Sequence, residues 1–130
     1  MTLNVYTARI GYADPDALDV TRKSGDQLGR AFAPSWTLLG PALRARARGD
    51  MDAVWPQYVA GFRGEMYASQ ENAPGAWRSL LARPRAVLVC YCADPERCHR
   101  TLLARDILPR LGAVYGGELG AAKPQGEMFR

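Results

Sequence analysis

"RAVLVCYCADPERCHRTLLARDILPRLGAVYGG", residues 85–117, reads as strand, turn, helix, glycine, strand. The valine-rich run at 85–92 fits a strand buried on both faces. Asp94 then predicts an N-cap, Pro95 a first helical position and Glu96 an acidic first turn, and Gly112 closes the helix. "AVYGG", residues 113–117, is a further short strand. Two strands joined through one helix make a βαβ unit, and that unit makes the strands parallel. The same stretch holds all three cysteines and the single histidine of the chain, Cys90, Cys92, Cys98 and His99, beside Arg97 and Arg100.

Outward from this unit the pattern continues. "LNVYTARI", residues 3–10, alternates as a strand does, and "GYADPD" ends it. "ALDV", 17–20, is a short second strand, and 21–34 reads as a long loop with two glycines, a length more often functional than that of a short loop. Ser35 predicts the N-cap of a helix that Gly40 and Pro41 should interrupt. In "DMDAVWPQYVAGFRGEMYAS", residues 50–69, Trp55, Tyr58, Val59, Phe62 and Met66 form one apolar face, read as core rather than as a ligand box. "NAPGAWRSLLARP" adds Trp77, Leu80 and Leu81 at helical spacing. The expected architecture is a single three-layer α/β domain over 1–122, with a mostly parallel sheet of about four to five strands flanked by helices. Residues 123–130 are expected to be a C-terminal tail.

Composition narrows the function classes. With 48% apolar and 23% charged residues, the 130-residue chain is globular rather than disordered. No apolar run approaches the ~18 residues of a membrane span, so no membrane partner is expected. The N-terminus lacks the layout of a signal peptide. Three cysteines cannot all pair within one chain, which fits free thiols in a reducing cytoplasm. The net charge is +4, and all basic residues except Lys23 and Lys123 are arginine, whose fork matches phosphate oxygens. The arginines are dispersed, with only Arg44, Arg46 and Arg48 close together, so nucleic-acid binding is weakly supported.

The strand–helix junction concentrates the chemistry. Cys90 and Cys92 share a face of a regular strand. Unpaired amides at a helix start favour an anion and lower the pKa of a nearby thiol. A zinc site is disfavoured on two counts. Cys98 and His99, adjacent on a helix, would diverge by about 100°, and Cys90 and Cys92 would lie roughly 6.5 Å apart at Cα without a bend. Cys92 to Arg97 has the Cys-x4-Arg spacing of a rhodanese loop but lacks its glycines, and the phosphatase spacing Cys-x5-Arg fails by one residue. Ordinary packing explains Cys90 and Cys98 as small hydrophobes, though not the clustering with His99 and Arg100.

"LVCYCADPERCHRTLLARDIL" resembles the hallmark of the YeaO-like proteins, the domain-of-unknown-function 488 family, in Cys90, Asp94, Pro95, Cys98, His99 and Arg100. "YTARIG", "FAPSWTLL" and "WPQYVAGFRGEM" resemble other parts of that family, and "LDVTR" places Asp19 and Arg22 as counterparts of its Asp-Val-Arg segment with one inserted residue. Cys92 departs from the family pattern, so no role is carried over to it. The resemblance implies an α/β fold with the Cys-His-Arg helix start beside a strand end, and no particular reaction.

Together these readings lead to a pocket for a small phosphorylated or nucleotide-like anion. Arg100 and Arg22 hold the anion, with Asp19 orienting His99 or Arg100. His99 moves a proton, and Cys98 or Cys90 is the nucleophile or the wall. No metal and no cofactor are expected. Two alternatives stand beside it: a binding module for nucleic acid or protein without chemistry, and a thiol-based sulfur-transfer or redox protein.

Overall fold

The computed structural model describes residues 2–120. Four strands, β1 (Asn4–Arg9), β2 (Ala17–Asp19), β3 (Arg85–Cys90) and β4 (Val114–Leu119), form one sheet in the order β2-β3-β1-β4. Every pairing is parallel, with Thr7 opposite Leu88 and Leu18 opposite Leu88 on its other side. β3 has a neighbour on each side, and from Ala86 to Cys90 every residue is buried. That is why its sequence runs as uninterrupted apolar residues instead of alternating. The parallel α/β class is therefore observed, and 85–117 does run strand, helix, strand, but its two strands, expected to pair, are separated by β1.

Between β2 and β3 run α1 (Gln27–Arg30), α2 (Trp36–Arg48), α3 (Met51–Asn72) and α4 (Pro74–Leu81). Ser35 caps α2, its Oγ accepting from the Leu38 N–H at 3.2 Å, while Ser35 itself donates to Glu65 of α3. The expected interruption at Gly40 and Pro41 does not occur: α2 is continuous through Pro41. Ala42 and Ala45, both buried, pack this helix against α3, and that contact outweighs the one backbone donor a proline lacks. The stretch 21–34 is not all loop, since Asp26 caps the short α1 within it.

The second crossover also departs from the expected boundaries. Asp94 and Pro95 open only a 3₁₀ turn, Pro95–Arg97. Cys98, in extended conformation at φ −139° and ψ 142°, becomes the N-cap of α5 (His99–Thr101). The helix widens into π-type turns over Leu102–Ile107, tightens over Leu108–Leu111 and ends at Gly112, whose φ of 104° suits a residue without Cβ.

One main core holds the fold. Leu3, Val5, Leu18, Val20, Ala86 and Leu88 of the strand segments meet Phe62, Met66, Trp77, Leu80, Leu103 and Leu108 of the helices. Burying a side chain such as Phe62 stabilises the fold by about 1.5–3 kcal/mol. The opposite face carries a smaller cluster, Ala8, Val87 and Val89 with Tyr6, Ile10 and Leu119, to which no helical residue contributes among the described residues. The layering is thus lopsided, with the β1–β2 connection fastened to β3 through the Val87 N–H to Asp16 carbonyl bond (3.0 Å) and through Arg85 to Asp14 and Asp16. Among the described residues no helix is long and apolar enough to cross a membrane. The tail expected at 123–130 lies outside the described residues.

Candidate functional site

β3 ends at Cys90, and the chain there leaves the sheet, so Cys92 is not held by strand geometry. The 3₁₀ turn then carries the chain back, and extended Cys98 aims its side chain by strand rather than helix geometry. Both obstacles to convergence that the sequence suggested are therefore absent. The three sulfurs of Cys90, Cys92 and Cys98 lie within 4.8 Å of one another, with 3.9 Å between Cys90 and Cys92. Cys90 and Cys98 are buried and Cys92 is half-buried.

His99 sits beside them with its tautomer fixed. Its Nε2 is 2.8 Å from the Val20 carbonyl, which can only accept, so Nε2 carries the proton. Nδ1 is left as an acceptor 3.8 Å from the Cys90 sulfur. Phe62 packs on the imidazole at 5.5 Å between ring centres. The thiols divide their roles. Hydrogen bonds from Cys92 and Cys98, with His99 adding to them, hold Cys90 far below its ordinary thiol range. Cys92 is raised, first by its bond to Cys90, and Cys98 is raised by burial and then by the same bond. Of the three thiols, Cys90 is therefore the one disposed to give up its proton.

Arg100 is fully buried and faces inward. Its Nε and Nη2 form a two-pronged pair with Glu118 of β4 at 3.2 and 2.8 Å, and its Nη1 donates to the Cys92 carbonyl at 2.9 Å and to the Cys98 sulfur at 3.2 Å. The fork expected to hold an anion is thus occupied by a carboxylate and the junction backbone. Asp19 does not orient His99 or Arg100 either. Its Oδ1 accepts the Thr21 N–H at 2.9 Å, while the Val20 carbonyl and Glu118 take the two positions proposed for it.

A cavity of about 340 Å³ opens over the cluster, a size that suits a small ligand. Cys90, Cys92, Cys98 and His99 line it, as does Arg22 from the β2–α1 loop. Among the described residues four cations stand in its wall, Arg22, Lys23, Arg46 and Arg97, and no carboxylate does. Arg97 is paired with Asp52 at 2.8 Å, whereas none of the other three has a carboxylate partner among the described residues. Arg46 also donates to the Cys92 sulfur at 3.2 Å. Trp36 and Tyr91, both more than half exposed, complete the rim. Tyr58, read from its periodicity as core, is both core and cavity wall. Thr21 Oγ1 is buried without a hydrogen-bond partner among the described residues.

The structure thus brings Cys90, Cys98, His99 and Arg22 together and sets Arg100 and Asp19 behind them. Sequence reasoning missed Arg46, Lys23, Trp36 and Tyr58 as wall residues. The Arg44, Arg46, Arg48 group was the only trace of the first, and nothing local marks the others.

A family model described as the active DUF488-N3 subclade, DUF488-N3a, matches residues 5–111. No curated protein and no solved structure matches the chain.

Proposed function

The chain belongs to the DUF488 family, and on that premise we propose that its cavity binds a small phosphorylated or nucleotide-like anion and presents it to the Cys90 sulfur. The observation that carries this reading is the convergence on one cavity of the Cys90–His99 pair and of basic side chains without carboxylates. An acid-free wall with Arg22, Lys23 and Arg46 favours a negatively charged ligand, because each guanidinium fork matches phosphate oxygens. The apolar and aromatic part of the wall, Trp36, Leu39, Leu43 and Tyr58, suits the rest of such a molecule.

The chemistry follows from the imidazole. The Cys90 thiol proton passes to His99 Nδ1, which is free to take it because Nε2 is committed to Val20. The sulfur attacks an electrophilic centre of the bound anion, forming a sulfur–ligand bond. The bond to the leaving group breaks, and that group departs with its electron pair and the proton from His99. Water then attacks the adduct, the sulfur departs as thiolate, and the proton of the water returns to Cys90.

Iodoacetamide labelling of the reduced protein tests the reading, with mass spectrometry locating the labelled cysteine. Cys90 is expected to react at least about tenfold faster than free cysteine at the same pH. The rate falls in His99→Gln, and millimolar AMP or inorganic phosphate protects the wild type. Labelling at the rate of a free thiol, or labelling indifferent to both anions, overturns it.

A further inference from the structure

We infer that Cys90, Cys92 and Cys98 form a site for a thiophilic divalent cation of the zinc class at the floor of the cavity. The spacing is the first argument. Zinc–sulfur bonds of about 2.3 Å put the sulfurs of a tetrahedral site about 3.8 Å apart. The Cys90 and Cys92 sulfurs are 3.9 Å apart, and the whole trio falls within 4.8 Å, so sub-ångström shifts bring all three onto one ion.

Donor chemistry selects the ion. The cluster offers three sulfurs and, among the described residues, no carboxylate, which disfavours magnesium and calcium and favours a soft or borderline cation. A fourth donor stands on the same wall. His99 gives its Nε2 proton to the Val20 carbonyl and keeps Nδ1 free, 3.8 Å from the Cys90 sulfur. That orientation by a backbone carbonyl is how metal-binding imidazoles are held. Charge is balanced too. Three thiolates and a dication leave one net negative charge, and guanidinium groups of Arg46 and Arg100 each lie 3.2 Å from a sulfur, Cys92 and Cys98 respectively. Three sulfurs leave the fourth position of a tetrahedral ion to His99 Nδ1 or to a ligand from the cavity, which all four side chains border.

This inference goes beyond the anion reading and shares the Cys90 sulfur and His99 Nδ1 with it. A bound cation turns the Cys90 sulfur from nucleophile into ligand, so metal and alkylating agent compete for it.

The test is titration of the reduced, metal-free protein with cobalt(II). One equivalent is expected to produce a sulfur-to-cobalt charge-transfer band with the visible bands of a tetrahedral site. Zinc(II) then bleaches both and blocks Cys90 alkylation. Cys92→Ser and Cys98→Ser each weaken cobalt binding by at least about tenfold, the size that loss of even a supporting partner carries in metal sites. Far-ultraviolet circular dichroism confirms that each variant is folded. If Cys98→Ser unfolds, half-buried Cys92→Ser and the wild-type titration decide. Absence of the charge-transfer band, or a band unchanged in Cys92→Ser, overturns the inference. The anion reading is judged separately, by AMP or phosphate protection of Cys90 in metal-free protein, so each can fail while the other stands.

Discussion

Arg100 shows how one side chain separates support from binding. It was expected to hold an anion because it follows Cys98 and His99 at a helix start. It lies instead with no exposed surface, forked onto Glu118 and bonded to the Cys92 carbonyl and the Cys98 sulfur. Burial lowers the tendency of a guanidinium to stay protonated, but Glu118 and Cys98 together more than offset this and hold Arg100 above its ordinary range. Removing one partner of such a pair leaves the other charged and buried, which costs about 3–5 kcal/mol. Arg100→Ala is therefore expected to lower unfolding stability by that amount in urea titration. Arg100→Lys should recover only part of it, because an ammonium cannot reproduce the fork. An arginine that held a ligand would leave the opposite signature, with stability kept and binding lost. A stability loss under about 1 kcal/mol, the scale of exposed pairs, would return Arg100 to the cavity. The reason this was not legible is physical: Glu118 is on the far strand of the sheet, and nothing near Arg100 in sequence announces it.

At the scale of elements, legibility follows locality. Ser35 was readable as an N-cap because capping is decided within one turn, and Gly112 as a helix end for the same reason. The burial of β3 was readable because five successive apolar residues leave no face for water. The start of α5 was not. Asp94 and Pro95 carry every local signal of a helix beginning, yet Asp94 caps only a short 3₁₀ turn through the Glu96 N–H at 2.9 Å. Four residues of delay make Cys98 the N-cap and give the sulfurs their convergence. Gly29 is another nonlocal constraint. An ideal Cβ there would overlap the Asp19 carbonyl oxygen and crowd Ser24 Oγ. The close approach of α1 to the end of β2 fixes the intervening 20–24 loop, and with it Arg22 and Lys23 in the cavity wall. Gly29→Ala is expected to destabilise the protein by about 1–3 kcal/mol, the cost of overpacking, and to weaken AMP protection of Cys90. Thermal denaturation and the alkylation assay read the two effects, and a variant equal to wild type in both would show that the contact is not a constraint.

For the molecule as a whole, the lopsided layering directs attention to the face that helices leave to the chain entering β2. That connection crosses β3 and is secured by Arg85, whose Nη1 donates to Asp14 Oδ1 at 2.8 Å and to Asp16 Oδ2 at 3.0 Å. The Asp16 N–H also donates to Asp14 Oδ1. The Arg85 bond, then that backbone bond, hold the Asp14 carboxyl below its ordinary value of 3.8. Arg85 is raised by its bonds to Asp14 and Asp16 and stays charged throughout. The sign follows from linkage. A carboxyl whose folded pKa lies below its unfolded one contributes stability that is fully present above the unfolded value and is lost as pH falls through the folded value. The gap in melting temperature between wild type and Asp14→Asn should therefore be constant above about pH 5 and shrink as pH falls below 4. Other carboxyls titrate in the same range, but they do so in both proteins, so the difference isolates Asp14. Arg22 and Lys23 follow β2 and Cys90 ends β3, so the cavity wall begins where the two fastened strands end. A gap that stays constant down to pH 2 would mean that the connection is held by the Val87 to Asp16 backbone bond and apolar packing, with Arg85 a bystander.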